Sequence, residues 1–129
     1  MGYEGPQLKL TGLTASASLT AKQYYFVKMS GVNTVTVCAA TTDKPIGVLQ
    51  NAPASGAEAE VVCMGQTKIS ADGELTAGAS IGTSADGQAA VYTVLDTTKY
   101  IVGQMIESAG AADGIGTAVI NCASIRLLA

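Results

Sequence analysis

At 129 residues the chain fits one domain, large enough to bury roughly two-thirds of its unfolded surface without disulfide or metal staples. Charged residues make up only 13% and the formal net charge is -3, which leaves no basic field for DNA or RNA and no polybasic run for a membrane surface. Histidine is absent, which removes the usual general base near neutral pH, Ser-His and Cys-His nucleophile pairs and every His-containing zinc site.

Residues 1–21 carry Tyr3, Leu8, Leu10, Leu13 and Leu19 among small and polar residues, including the low-complexity run T-A-S-A-S-L-T. They read as an extended N-terminal arm ahead of a single β domain over residues 22–129. The arm is either a frayed terminus or a segment that orders on a neighbouring subunit. In the second case Tyr3, Leu8, Leu10 and Leu13 are contact residues. The first ten residues have neither a basic n-region nor the apolar run of a secretory signal, and no stretch approaches the ~20 apolar residues of a membrane span. The expected compartment is the cytoplasm in which the chain is made.

Residues 23–29 (Q-Y-Y-F-V-K-M) and 32–40 (V-N-T-V-T-V-C-A-A) predict a hairpin about Ser30 and Gly31. Val35, Val37 and Ala39 share one face of the second strand, and Tyr25, Val27 and Met29 are expected to pair with it. The trio Tyr24, Tyr25, Phe26 reads either as sheet packing or as a binding platform, with Tyr24 the contact candidate. From residue 44 to residue 91 short apolar runs are cut by turn residues: Asn51-Ala-Pro53, Ser55-Gly56, Gly65, Asp72-Gly73, Gly78 and Asp86-Gly87. This is a meander of short strands. Residues 90–95, 100–106 and 116–128 continue it. The fold class is therefore all-β, a small antiparallel barrel or sandwich of about eight short strands.

The turn and charge residues offer no chemistry. Ala-Asp-Gly occurs at residues 71–73, 85–87 and 112–114, where Asp-Gly is a favoured turn pair rather than a repeat unit. Glu58 and Glu60 would share one strand face and read as a solvated surface. Cys38, Cys63 and Cys122 are odd in number and widely spaced, which fits buried free thiols better than disulfides or a metal site. Lys44 lies before Pro45, unlike the attachment lysine of a biotinyl carrier, which sits between hydrophobic residues. No catalytic, cofactor or metal site is expected. The 15 glycines, abundant alanine and single phenylalanine imply a thin core that gains from association.

The segment P-I-G-V-L-Q-N-A-P-A-S-G-A-E-A-E-V-V-C-M-G, with the later L-T-A-G-A-S-I-G-T-S-A-D-G, resembles the capsid decoration, or head cement, proteins of tailed phages. The resemblance covers roughly residues 15–117 and rests on glycines and small residues. It implies a small β-barrel, usually trimeric, on the outer capsid surface, where it reinforces contacts between major capsid protein subunits. Its partners would be that shell protein and copies of itself, with no nucleic acid, membrane or cofactor. The alternative is a host-surface adhesion module of a phage tail or fibre.

Overall fold

The computed structural model describes residue 2, residues 5–92 and 98–122, and the backbone of residues 126–127. These are all-β, as the turn spacing predicts, with no α-helix among the described residues. The strands are β1 (Gln7–Leu10), β2 (Thr14–Ala15), β3 (Phe26–Gly31), β4 (Thr34–Val37), β5 (Gly47–Leu49), β6 (Val61–Ser70), β7 (Ser80–Thr83), β8 (Ala89–Val91), β9 (Tyr100–Ile101), β10 (Gly103–Glu107), β11 (Ile115–Asn121) and β12 (Arg126–Leu127). Ten of them form one mixed sheet along the path β2-β4-β3-β5-β6-β11-β10-β7-β8, with β1 added on β6, while β9 pairs with β12. The path is open, so the sheet is not a closed barrel. It folds over on itself in the manner of a sandwich: the Phe26 N–H donates to Gly87 O at 2.7 Å, and Ala71 bridges Ala89.

The strand β6 organises the sheet because it is long enough to take three partners. Val61 and Val62 face β5, residues 61–65 face β1, and Met64 to Ser70 run antiparallel to β11. The expected break at Gly65 does not interrupt it. Gly65 takes φ +122, and an added Cβ there would strike the Pro6 carbonyl oxygen, so the strand bends without ending.

Two apolar clusters lie on opposite faces of the sheet. The larger joins Phe26, Val48 and Val62 to Ile69, Leu75, Ile81, Met105 and Ile120. The smaller joins Val27, Leu49 and Val61 to Leu13, Ala15, Leu19, Val35 and Ala59, with Leu10 packed against it. Successive residues of β3, β5 and β6 therefore point into different cores, and each pair is completely buried. A sheet buried on both faces needs a cover on each.

The second cover corrects the expected arm. Residues 1–21 were to lie outside a domain beginning at residue 22, yet Leu13 and Leu19 are 7% and 1% exposed and Leu10 is half-buried. The backbone is bound as well. Thr14 N–H donates to Asn33 O, Ser16 N–H to Val35 O, Ala59 N–H to Leu13 O and Leu19 N–H to Pro53 O, at 2.9 to 3.0 Å. The physical reason is that Val27, Val35, Leu49 and Val61 present an apolar face that this segment, together with Ala59, covers. Each buried leucine contributes about 1.5–3 kcal/mol.

The hairpin lies two residues beyond its expected turn. Val32 and Asn33 connect β3 to β4, with Asn33 at φ 56 and Val32 90% exposed. Asparagine tolerates the left-handed conformation that the tight connection requires. Of the predicted face, Val27 pairs with Val37 and Met29 with Val35, whereas Tyr25 and Ala39 lie outside the two strands. After β4 the chain is pinned by Asp43, whose Oδ2 accepts from Lys28 Nζ at 2.9 Å, Ala39 N–H at 2.8 Å and Ala40 N–H at 3.0 Å. Burial pulls the Asp43 carboxyl upward, but the Lys28 ammonium and the two backbone donors together outweigh it and hold it below its ordinary value of 3.8.

Two outcomes follow for stability. Leu19→Ala should cost about 2–5 kcal/mol in chemical denaturation, and deletion of residues 1–21 should abolish the cooperative transition; a truncated chain melting at the parent temperature would contradict the two-cover arrangement. Because the folded Asp43 carboxyl binds a proton less readily than the unfolded one, its contribution is complete above pH 4 or so and fades as pH falls through the lowered folded value. Asp43→Asn should remove that part of the acid sensitivity, measured as the difference in denaturation midpoint between neutral pH and pH 3.

Candidate functional site

The most open apolar surface is the outer face of the sheet across β1, β6, β11 and β10. Residues opposite one another in antiparallel strands share a face. Leu8 lies opposite Met64 and Met64 opposite Asn121, while Gln66 lies opposite Val119 and Val119 opposite Gln104. Met64 and Gln66, like Val119 and Asn121, are two apart and project on the same side, so the two rows are neighbours. Ile106 extends the patch beyond Gln104 at an irregular step in the β10–β11 ladder. Leu8, Met64, Ile106 and Val119 are all between 38% and 55% exposed, an amount of clustered apolar surface that usually marks an interface.

Polar groups on this face include the amides of Gln66, Gln104 and Asn121, and Gln104 Nε2 donates to Gly78 O at 2.9 Å. The Lys9–Glu60 pair beside it spans 3.6 Å with both side chains half exposed, so it contributes little. A surface with clustered apolar side chains and few charges suits docking against another protein.

The five contact residues predicted from sequence separate on inspection. Leu8 lies on this face. Leu10 and Leu13 do not, because they turn into the second core; that is a correction to their expected role. Tyr3 lies outside the described residues. Tyr24 is half-buried at the end of this side of the sheet, with its ring 5.7 Å from Nζ of Lys68, which follows Gln66 by two residues in β6, and with its backbone at φ 68. A left-handed bulky residue costs about 1–2 kcal/mol, offset here by hydrogen bonds from Tyr24 N–H to Leu49 O and from Ser70 N–H to Tyr24 O. Met64, Ile106 and Val119 were missed as contacts, although strand alternation alone separates them from buried Cys63, Met105, Ala118 and Ile120.

The thiols are poorly suited to chemistry. All three cysteines are free and buried. Burial, above all, pushes the Cys38 thiol up to about 12, with a Thr83 hydrogen bond working the other way. Burial likewise raises Cys122 to about 12, reinforced by Cys63 and Cys38 nearby. Neither is a thiolate near neutral pH. Among the described residues no group of three or more cysteine, aspartate or glutamate side chains is arranged to hold a metal ion.

Among proteins of known structure the chain has a likeness of fold. The sequence matches no protein-family model, and no curated protein matches it. The fold is similar to the crystal structure of the N base of the head fiber protein gp8.5 in bacteriophage phi29, with a TM-score of 0.65 at 18% identity, covering 91% of this chain and 96% of that one. What the two share is the fold.

The burial of the thiols has a direct check. Native protein at pH 8 should react with a disulfide exchange reagent far more slowly than denatured protein, which should release three equivalents. Rapid stoichiometric reaction of the native protein would contradict the buried placement.

Proposed function

We propose that this chain is a structural component of a tailed-phage virion, bound on the outer surface of the head, where it acts as a cement between major capsid protein subunits and does no chemistry. The observation that carries the reading is the fold shared, over nearly the whole chain, with a head-fiber base. The open β1-β6-β11-β10 face supplies a suitable surface for it, with Leu8, Met64, Ile106 and Val119 set beside the amides of Gln66, Gln104 and Asn121. The low charge and the small residues noted in the sequence favour the same kind of flat, closely fitted contact.

The mechanism is mass action combined with multivalency. A ligand that binds the assembled shell and not its separated subunits stabilises the shell by the free energy of binding. If the protein is a trimer, as the family resemblance implies, each copy engages a neighbouring shell subunit, and once one is bound the others act at high effective concentration. The combined affinity can then exceed a single contact by about 10² to 10⁴.

Added to bare heads, the protein should raise the temperature at which they release DNA, saturably and with occupancy set by the number of symmetry-related sites. Val119→Asp should weaken attachment at least about tenfold, the effect of 1.4 kcal/mol, while leaving the protein's own melting temperature within a few degrees because Val119 is already 43% exposed. Heads saturated with protein that still burst under unchanged conditions would sink the cement reading, and saturable adhesion to host cells would then favour an adhesion module of a tail or fibre.

A further inference from the structure

A recess of about 390 Å³ opens where β3, the link into β5 and the end of β11 meet, lined by Lys28, Met29, Lys44, Pro45, Ile46 and Cys122. It shares no residue with the docking face described above. Its size falls in the range of ligand pockets, roughly 300–1,000 Å³, which is enough for one or two side chains. Its walls are mainly apolar: Met29 is 45% exposed, Pro45 is buried and Ile46 is half-buried.

Two features bear on what fits. The first is charge. The chain has 7 basic residues against 10 acidic ones, yet the recess gathers two lysines. Lys28 is already paired with Asp43 at 2.9 Å. Lys44 is exposed and makes no ion pair among the described residues, so it is the cation available to a ligand.

The second is an interrupted ladder. Phe26 pairs with Val48 and Val27 with Gly47, and the Ile46 N–H donates to Val27 O at 2.8 Å. That bond is one residue out of step with the Val27–Gly47 pair, so the ladder is already irregular at residues 46–47, and the next residue, Pro45, has no N–H with which to extend it. The β3–β5 pairing stops at Val27, and among the described residues β3 continues as an edge beside the recess. Such an edge accepts an added strand, with main-chain hydrogen bonds giving affinity and a pocket for a side chain giving selectivity.

We propose that this recess binds a short extended peptide segment of a partner protein in which a carboxylate neighbours an apolar side chain. The segment adds along β3 beside Met29, its apolar side chain entering between Met29, Pro45 and Ile46 and its carboxylate meeting Lys44. The edge supplies direction, the recess supplies the apolar contact, and Lys44 discriminates acidic from basic segments.

The test uses the full-length protein and two fluorescein-labelled, capped hexapeptides, one alternating leucine with glutamate and the other leucine with lysine. Anisotropy titration should give saturable binding of the acidic peptide, at least tenfold tighter than the basic one and weakening as salt is raised. Lys44→Glu, an exposed change that should leave the melting temperature within a few degrees, should weaken the acidic peptide at least tenfold and reverse the preference. Equal binding of the two peptides, an acidic-peptide affinity within twofold after Lys44→Glu, or no saturable binding would each overturn the proposal. Self-association that Lys44→Glu abolishes and the acidic peptide fails to compete would also overturn it, by assigning the recess to a second copy of this chain.

Discussion

Three adjacent strand segments with no free face set the terms for everything else in this fold. Phe26 and Val27, Val48 and Leu49, and Val61 and Val62 are each completely buried in pairs, one member in each core. A half-buried antiparallel strand needs one apolar cover; these need two. The far half of the sheet, with Ile81, Met105 and Ile120, folds back to supply the first. The second comes from Leu10, Leu13, Ala15 and Leu19. A chain with one phenylalanine and no tryptophan has few large side chains to spend on a core, so it draws on apolar residues from both ends of the folded region.

That constraint also explains which parts of the fold could be read from the sequence. Turn chemistry is local, and it placed Gly56, Gly78 and Gly87 correctly: all three take positive φ. Gly87 is the most constrained of them, since a Cβ there would meet Val37 Cγ2 at 2.5 Å and Cys38 O at 3.0 Å. Alternation is also local, and it paired Val27 with Val37. The role of residues 10–19 is not local. Their leucines follow neither a period of two nor a helical spacing, and the segment takes its shape from hydrogen bonds to residues 33, 35, 53, 57 and 59, far away in sequence. Continuity through Gly65 was hidden for a similar reason, since a glycine in an apolar run reads as a break until a neighbouring backbone, here that of Pro6, is seen to need the space.

The candidate docking face was legible in part. Leu8 was singled out because it stands alone among polar neighbours, and it is exposed. Leu10 and Leu13 have the same local appearance and are buried. The difference is register: β1 turns Leu8 outward opposite Met64, while the chain after Leu10 crosses over the second core. Met64 and Val119 were less conspicuous because each sits inside a run of apolar residues, where composition suggests core and only the sheet shows which side faces out. The fold shared with a head-fiber base at 18% identity does not choose among these residues. At that level what is shared is the fold, whereas contact residues are free to differ.

The two candidate surfaces differ in how they would bind, and the difference follows from their polar groups. The β1-β6-β11-β10 face carries mainly apolar and amide side chains, so docking there depends on area and fit and should respond weakly to ionic strength. The recess has a free cation at its rim and a strand edge beside it, so its affinity carries a Coulombic part that salt screens over about 8–10 Å at physiological ionic strength. Asp43 links the second surface to the fold, since its carboxylate holds Lys28 and the backbone of residues 39 and 40, directly before Lys44, Pro45 and Ile46. With Lys28 committed to Asp43, selection by charge at the recess falls to Lys44. Protonating Asp43 would loosen the wall of the recess and release Lys28 together, while leaving the β1-β6-β11-β10 face, which has no part in that cluster, unchanged.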